Sequence, residues 1–151
     1  MSNEFGTLTK GQFPTILKDP HADERTQPFW DAAKEERLVA PRCTECGTFR
    51  MPPSPYCFNC RGQGYEYVEL PGTATIYTFT IVRHALHPDL AEILPYVGAV
   101  VELDGTQGAG ARMIVNIVDC DVDAVRCGDK VEVVWEHVNE AMTTPRFRPV
   151  R

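Results

Sequence analysis

Two closely spaced cysteine pairs constrain the fold of this chain more than any other feature. Cys43 and Cys46 form one Cys-X-X-Cys pair, and Cys57 and Cys60 form a second pair, with ten residues between the two. Each pair can turn so that both thiolates reach one ion, and four thiolates at tetrahedral positions suit a closed, structural Zn²⁺ site. Such a shell leaves no open position for water or substrate. The spacing therefore predicts a zinc ribbon whose metal maintains a shape.

Other uses of these cysteines fit the pattern less well. A redox-active Cys-X-X-Cys is disfavoured because two pairs occur together at this spacing. Disulfides are disfavoured because the first residues carry no export signal, which predicts a reducing compartment. Iron in the same four-sulfur shell is not distinguished from zinc by sequence. Cys120 and Cys127 lie too far apart for a knuckle, so we expect both to be core or near-surface packing residues.

Composition limits the class of protein. The chain has 151 residues, of which 43% are hydrophobic and 24% charged, and this balance is typical of a soluble globular protein. Its longest apolar runs are far shorter than the roughly 20 residues that cross a bilayer. We therefore expect a cytoplasmic protein with no membrane partner. The net charge of −6 counts against nucleic-acid binding, which a basic surface favours.

The segment before the cysteines divides into an arm and a helix. Residues 1–25 show neither the helical nor the strand period, so the arm is either a frayed tail or a segment that lies on another surface, most simply that of a partner. Residues 26–38 predict an amphipathic helix, with Thr26 at the N-cap and Pro28 in the first turn. Its aromatic face should pack on the ribbon or on a partner.

The segment after the cysteines is dominated by strand patterns. Alternating and β-branched residues predict strands, and about five of them in roughly 85 residues suit a small Greek-key barrel of the OB type. The fold class is thus mainly β: an N-terminal arm and helix (1–38), a zinc ribbon (39–68) and a five-stranded OB-type barrel (69–151). The predicted strands are 65–70, 72–82, 96–103, 111–118 and 130–138, with a short closing segment at 146–150.

Nothing in the chain assembles a complete active site. The insertion 83–95 carries His84 and His87, but neither lies near a serine or cysteine in sequence, and both are expected to be polar loop residues. The glycine-rich segment 104–110 lacks the phosphate-loop pattern and is not followed by a helix, so it is interpreted as a hairpin turn. We expect no catalytic residue in this chain.

The order of its motifs resembles a known family. PFWDAAKEERLVAPRC, CTECG, CFNC, YVELPGTATIYTFTIV, LPYVGAVVELD and CGDKVEVVWE occur in the order typical of the zinc-ribbon/OB-fold family of acyl-CoA-associated proteins, a domain of unknown function. The resemblance covers about residues 26–138 and implies Cys43, Cys46, Cys57 and Cys60 as the zinc ligands. The second knuckle departs from the family, in which a proline after the first cysteine and a glycine directly after the second are more usual.

The resemblance also implies a role. Members of this family are small subunits or domains bound to thiolase-like enzymes, namely thiolases, acyltransferases and the retro-aldolases of steroid side-chain breakdown, and others partner hot-dog hydratases. The partner does the chemistry. We therefore expect a non-catalytic accessory subunit that stabilises a thiolase-like catalytic subunit, with two copies of each chain in a heterotetramer, and that helps to form the acyl-CoA site. The candidate acyl-CoA contacts are Arg83, His84, Tyr96 and Arg112.

A second interpretation remains open. OB barrels bind single-stranded nucleic acid by stacking bases on aromatic side chains above a basic groove. Tyr77, Phe79 and Tyr96 are candidates for such stacking. Aromatic residues on strands belong to the core more often, however, and the arginines of a barrel surface are more often solvated charges. The sequence therefore favours the accessory-subunit interpretation over nucleic-acid binding.

Overall fold

The computed structural model describes residues 19–106 and 110–150, so most of the predicted arm lies outside the described residues. Within these ranges no helix is both long enough and apolar enough to cross a bilayer. The elements are helix α1 (Gln27–Lys34), strands β1 (Val39–Cys43), β2 (Tyr65–Glu69), β3 (Thr73–Val82), β4 (Tyr96–Leu103), β5 (Arg112–Ile117), β6 (Lys130–His137) and β7 (Thr143–Pro149), and a short 3₁₀ helix (Pro88–Ile93) between β3 and β4.

Helix α1 is shorter than its apolar pattern predicts. Thr26 holds the N-cap position, but its hydroxyl makes no capping bond to the helix and instead donates to the Asp23 carboxylate at 2.8 Å. The helix ends at Lys34 because Glu36 adopts a left-handed conformation, with φ of 58°. The Arg37 N–H then bonds back to the carbonyl of Ala32 at 3.0 Å, which closes the helix end.

Strands β1 and β2 form the antiparallel sheet of the ribbon. Their pairing runs from Val39 opposite Glu69 to Cys43 opposite Tyr65. The first metal-binding turn therefore starts at the last residue of β1, and the chain returns from the second turn directly into β2. Sheet pairing thus holds the two ends of the cysteine-rich loop together.

The other five strands close a barrel in the order β3-β4-β5-β7-β6, which confirms the predicted OB-type fold. Strand β7 is longer than the predicted closing segment 146–150. It pairs with β6 over seven positions and joins β5 by one parallel pair, Ile117 opposite Phe147. Its first residues escaped the strand prediction because Thr143, Thr144 and Pro145 are buried without being apolar in pattern.

One apolar core joins the helix, the ribbon and the barrel. Phe29 of α1, Val39 of β1, and Ile76, Val101 and Phe147 of the barrel belong to the same buried cluster, and each is at most 8% exposed. The three units therefore pack on one another. The boundaries at residues 38 and 68 stay predictions.

Candidate metal centre and adjoining cleft

The four predicted ligands lie together at one end of the ribbon. Their sulfur atoms are all within 4.8 Å of one another, and the Sγ–Sγ distances are 3.6 Å both for Cys43 with Cys60 and for Cys46 with Cys57. A Zn–S bond of about 2.3 Å in a tetrahedron implies sulfur atoms about 3.8 Å apart. The arrangement therefore fits a structural zinc ion.

The two knuckles have the same backbone geometry. The Gly47 N–H donates to the Cys43 carbonyl at 3.0 Å, and the Arg61 N–H donates to the Cys57 carbonyl at 2.8 Å. Both residues are left-handed, with φ of 75° for Gly47 and 64° for Arg61. Arg61 thus occupies the position where the family more often has glycine, and it holds a conformation that costs a side-chain-bearing residue about 1–2 kcal/mol.

This asymmetry leads to a prediction. Arg61→Gly should stabilise the metal-loaded chain by about 1 kcal/mol, because glycine takes the left-handed conformation without strain. Gly47→Ala is the matched change in the other knuckle, and it should destabilise by a similar amount since the added Cβ meets the same strain. Urea unfolding of both variants with zinc bound measures the two effects. Stability changes of the same sign in the two variants would contradict the backbone strain assigned to the left-handed conformation of Arg61.

Hydrogen bonds ionise one thiol of the cluster, while crowding opposes another. The Thr48 hydroxyl lies 3.3 Å from the Cys46 sulfur, and this bond, together with that of the Thr48 N–H, lowers the pKa of Cys46 to about 5. The Gly62 N–H favours the thiolate of the exposed Cys60, but partial desolvation and the three neighbouring sulfurs raise the pKa of Cys60 to about 12. A bound divalent cation supplies the charge that keeps all four thiolates ionised.

A buried arginine organises the loop that carries the second knuckle. Arg50 is 2% exposed and reaches four backbone carbonyls, among them that of Ser54 at 3.1 Å and that of Gly64 at 2.9 Å. Its guanidinium lies 5.2 Å from the centre of the Tyr65 ring. A zinc ion with four thiolates carries a net charge of about −2, so a cation inside the ribbon also opposes that charge. Sequence patterns did not single out Arg50.

An apolar cleft of about 510 Å³ adjoins the ribbon. Helix α1 contributes Phe29 and Trp30, the loop 51–53 covers one side, and the outer surface of the barrel forms the floor. The remaining lining residues come from α1's N-cap and from four barrel strands: Thr26, Val82, Tyr96, Gly98, Met113, Ile114, Val115, Asn116, Thr144, Pro145 and Arg146.

A buried ion pair lies beneath this cleft. The Nε atom of Arg146 donates to Glu136 Oε2 at 2.9 Å, and the side chains are 6% and 2% exposed, respectively. The same guanidinium donates to Asn116 Oδ1. Burial lowers the pKa of Arg146, while Glu136 opposes this effect, and the group stays charged because arginine titrates so far above neutrality. The sequence did not reveal this pair, because charged residues within a strand of alternating polar and apolar residues are expected to face solvent.

The structure does not bring the four candidate acyl-CoA residues into one site. Tyr96, the first residue of β4, lines the cleft. Arg112 lies opposite Glu102, which is six residues further along β4. At the usual rise of a strand, this separates Arg112 from Tyr96 by about 20 Å. Arg83 forms an ion pair with Asp123. Their role in acyl-CoA binding stays a prediction.

The remaining polar and aromatic candidates have ordinary surroundings. His84 is exposed, and His87 accepts a bond from the Asp89 N–H at 3.3 Å, which caps the short 3₁₀ helix. Tyr77 is 54% exposed but stacks on Arg112, whose guanidinium lies 3.7 Å from the ring centre. The contacts of His87 and of Tyr77 are thus local structural ones, and the expectation of no catalytic residue stays a prediction. Within the described ranges, the four cysteines are the only group of three or more potential metal ligands that lie close together.

Comparisons with known proteins agree with this architecture. Residues 30–66 match a family model described as the rubredoxin-like zinc ribbon domain of ChsH2, and residues 67–136 match the model of its C-terminal OB-fold domain. Among solved structures, a chain of an Ltp2-ChsH2(DUF35) aldolase superimposes with a TM-score of 0.75 at 35% identity. That match covers 86% of this chain and 98% of the other.

Curated relatives fall into two groups by length. A DUF35 domain-containing scaffold protein of Methanothermobacter thermautotrophicus is 35% identical over 104 residues, which cover 68% of this chain and 74% of the relative. A probable enoyl-CoA hydratase alpha subunit of Thermomonospora curvata is 37% identical over 139 residues, which cover 91% of this chain. The match spans only 42% of that hydratase subunit, so the rest of the relative has no counterpart in the alignment.

Proposed function

Because the chain belongs to the ChsH2 (DUF35) family of zinc-ribbon and OB-fold proteins, we propose that it is a non-catalytic accessory subunit of a thiolase-type acyl-CoA enzyme. The observation that carries this proposal is the likeness to the chain of the Ltp2-ChsH2(DUF35) aldolase, which is matched over 98% of its length. A chain with the same zinc-ribbon and OB-fold architecture fits the same kind of task. The partner then supplies the nucleophile and the acid–base groups.

Two classes of partner are named among the relatives, an aldolase and a hydratase. The chain is similar both to the aldolase's chain, at 35% identity, and to the hydratase subunit, at 37% identity. We propose a thiolase-like partner on the likeness in structure to the aldolase's chain, and a hot-dog hydratase is the alternative. The reaction would be carbon–carbon cleavage or acyl transfer on an acyl-CoA, in a cytoplasmic heterotetramer with two copies of each chain.

The chemistry of the described residues suits a supporting role. A closed four-thiolate zinc site offers no position to a substrate, so its contribution is to hold the ribbon and, through the shared core, the helix and barrel in one arrangement. A bound zinc ion supplies this stability and no Lewis-acid step. Residues 83–96 would lie near the partner's acyl-CoA entrance, and Leu86, which is 86% exposed there, provides an apolar contact for a protein surface.

Purification of the tagged chain from its own cells, followed by native mass spectrometry, tests the proposal. A thiolase-like chain in equimolar amount, and acyl-CoA turnover by the complex but not by this chain alone, is the expected result. The Cys57→Ser variant serves as a control for specific assembly and should recover no partner.

Three outcomes would contradict the proposal. A hydratase chain in fixed ratio would assign the alternative partner. Turnover by the isolated chain would make this protein an enzyme. Recovery of nucleic acid that is lost steeply with salt would support the single-strand-binding interpretation.

A further inference from the structure

Two aromatic side chains at the second knuckle of the ribbon are open to solvent. Tyr56 is 58% exposed and Phe58 is 69% exposed, whereas Cys57 between them is 1% exposed. Metal binding at this knuckle uses only the thiolates, so it does not account for either ring. Exposed apolar patches mark interaction sites more often than isolated apolar residues do. We refer to the two knuckles, residues 43–48 and 54–62, as the ribbon tip.

The backbone that carries the two rings is held on both sides. The Ser54 hydroxyl donates to the Tyr56 carbonyl at 2.7 Å, and Arg50 donates to the Ser54 carbonyl at 3.1 Å. The Cys57 N–H donates to the Gly62 carbonyl at 2.8 Å. Because this backbone is fixed before any partner arrives, binding would immobilise only the ring torsions, which lowers the entropic cost of association.

The exposed surface of the ribbon tip is negatively charged. Cys46 and Cys60 are exposed, and the Glu45 carboxylate lies 3.9 Å from the Cys60 sulfur. Zinc with four thiolates contributes about −2, while Glu45 adds one negative charge and Arg61 one positive charge, so the zinc-loaded tip carries about −2. Arg50, buried beneath the tip, offsets one unit of this charge. A complementary surface is therefore positively charged beside an apolar pocket.

We propose that the ribbon tip docks on the catalytic subunit, with Phe58 and Tyr56 inserted between apolar side chains that lysine or arginine residues surround. The inference rests on the proposed function, since it names the surface through which that partner is held. Aromatic residues are enriched at protein interfaces, and a few such anchors carry most of the binding energy.

Other occupants fit these features less well. A small molecule binds in a concave site that surrounds it, whereas more than half of each ring is open to water. Nucleic acid or an anionic membrane would place phosphates against a negatively charged tip. A second copy of this chain would bring a net charge of −6 toward the tip, and like charges oppose association. A basic protein surface meets both the rings and the charge.

Dissociation of the co-purified complex tests the proposal. The probe is the catalytic chain that co-purifies with the unsubstituted, tagged protein, and mass photometry on serial dilution gives the Kd. Phe58→Ala should raise the Kd at least about thirtyfold, as expected for a residue that dominates an interface, and Phe58→Ala with Tyr56→Ala should prevent co-purification. Both rings are largely exposed, so the variants should keep the zinc content and the unfolding midpoint of the unsubstituted chain.

Three matched variants separate the tip from the rest of the surface. Val150 is 50% exposed and follows β7, outside the ribbon, so Val150→Ala should leave the Kd unchanged. Glu45→Gln removes a charge of the tip and should raise the Kd several-fold at low salt, with a weaker dependence on salt. Glu140→Gln removes the same charge from the exposed turn between β6 and β7 and should change neither quantity.

The inference and the proposed function fail in different ways. A catalytic chain that the unsubstituted and Phe58→Ala proteins bind equally tightly would overturn the inference and leave the proposed function standing. Recovery of no enzyme chain by the unsubstituted protein would contradict the proposed function, and the inference with it. Self-association that Phe58→Ala abolishes would assign the tip to a second copy and overturn the inference. So would an equal rise of the Kd in Val150→Ala.

Discussion

Replacement of Cys57 by serine is expected to release the zinc ion and unfold the ribbon. Cys57 is 1% exposed, and a buried hydroxyl at its position neither ionises nor binds zinc as a thiolate does. The binding of structural zinc is worth about 10–16 kcal/mol in small zinc domains, which is comparable with the whole stability of a protein of this size. Metal analysis should fall from about one zinc per chain to near zero. The thermal unfolding midpoint of the variant should no longer depend on zinc.

Cys127→Ser is the matched control for this variant. Cys127 is exposed and does not belong to the four-sulfur cluster, so its replacement should leave the metal content and the unfolding transition unchanged. A Cys57→Ser chain that retained a full equivalent of zinc would contradict the assigned ligand set. Iron in the unsubstituted protein would correct the identity of the metal, which sequence left open.

Replacement of Glu136 by glutamine is expected to destabilise the barrel by about 3–5 kcal/mol, the usual cost of removing one partner of a buried ion pair. The change leaves the Arg146 guanidinium charged in a site where it is only 6% exposed. Urea unfolding with zinc bound measures this loss as a lower midpoint with unchanged m-value.

The same two strands carry an exposed pair that serves as control. Glu132 and Arg148 are bonded at 2.8 Å, with side chains 39% and 45% exposed, so Glu132→Gln should cost at most about 1 kcal/mol. Equal losses from the two substitutions would show that burial does not govern the inner pair. Replacement of both Glu136 and Arg146 by leucine should recover much of the lost stability, because no buried charge remains.

Local sequence patterns determined much of the architecture. The two Cys-X-X-Cys pairs were enough to predict a ribbon, because each knuckle is formed within a few residues and four sulfurs have few other uses at that spacing. Strand β4 has the predicted bounds because its buried and partly exposed residues alternate strictly. Period-two patterns of this kind depend on neighbours in sequence, and this is why they could be recognised without the fold.

Features that depend on partners far apart in sequence were decided only by the tertiary structure. Arg146 is buried because β6 and β5 bring Glu136 and Asn116 to it, and neither neighbour is apparent from the residues around it. Strand β7 gained its length from pairing with β6. The cleft is formed where α1 and the loop 51–53 pack beside four barrel strands that lie far from them in sequence. Sequence patterns describe which face of an element is apolar, but the partner of that face is set by three-dimensional packing.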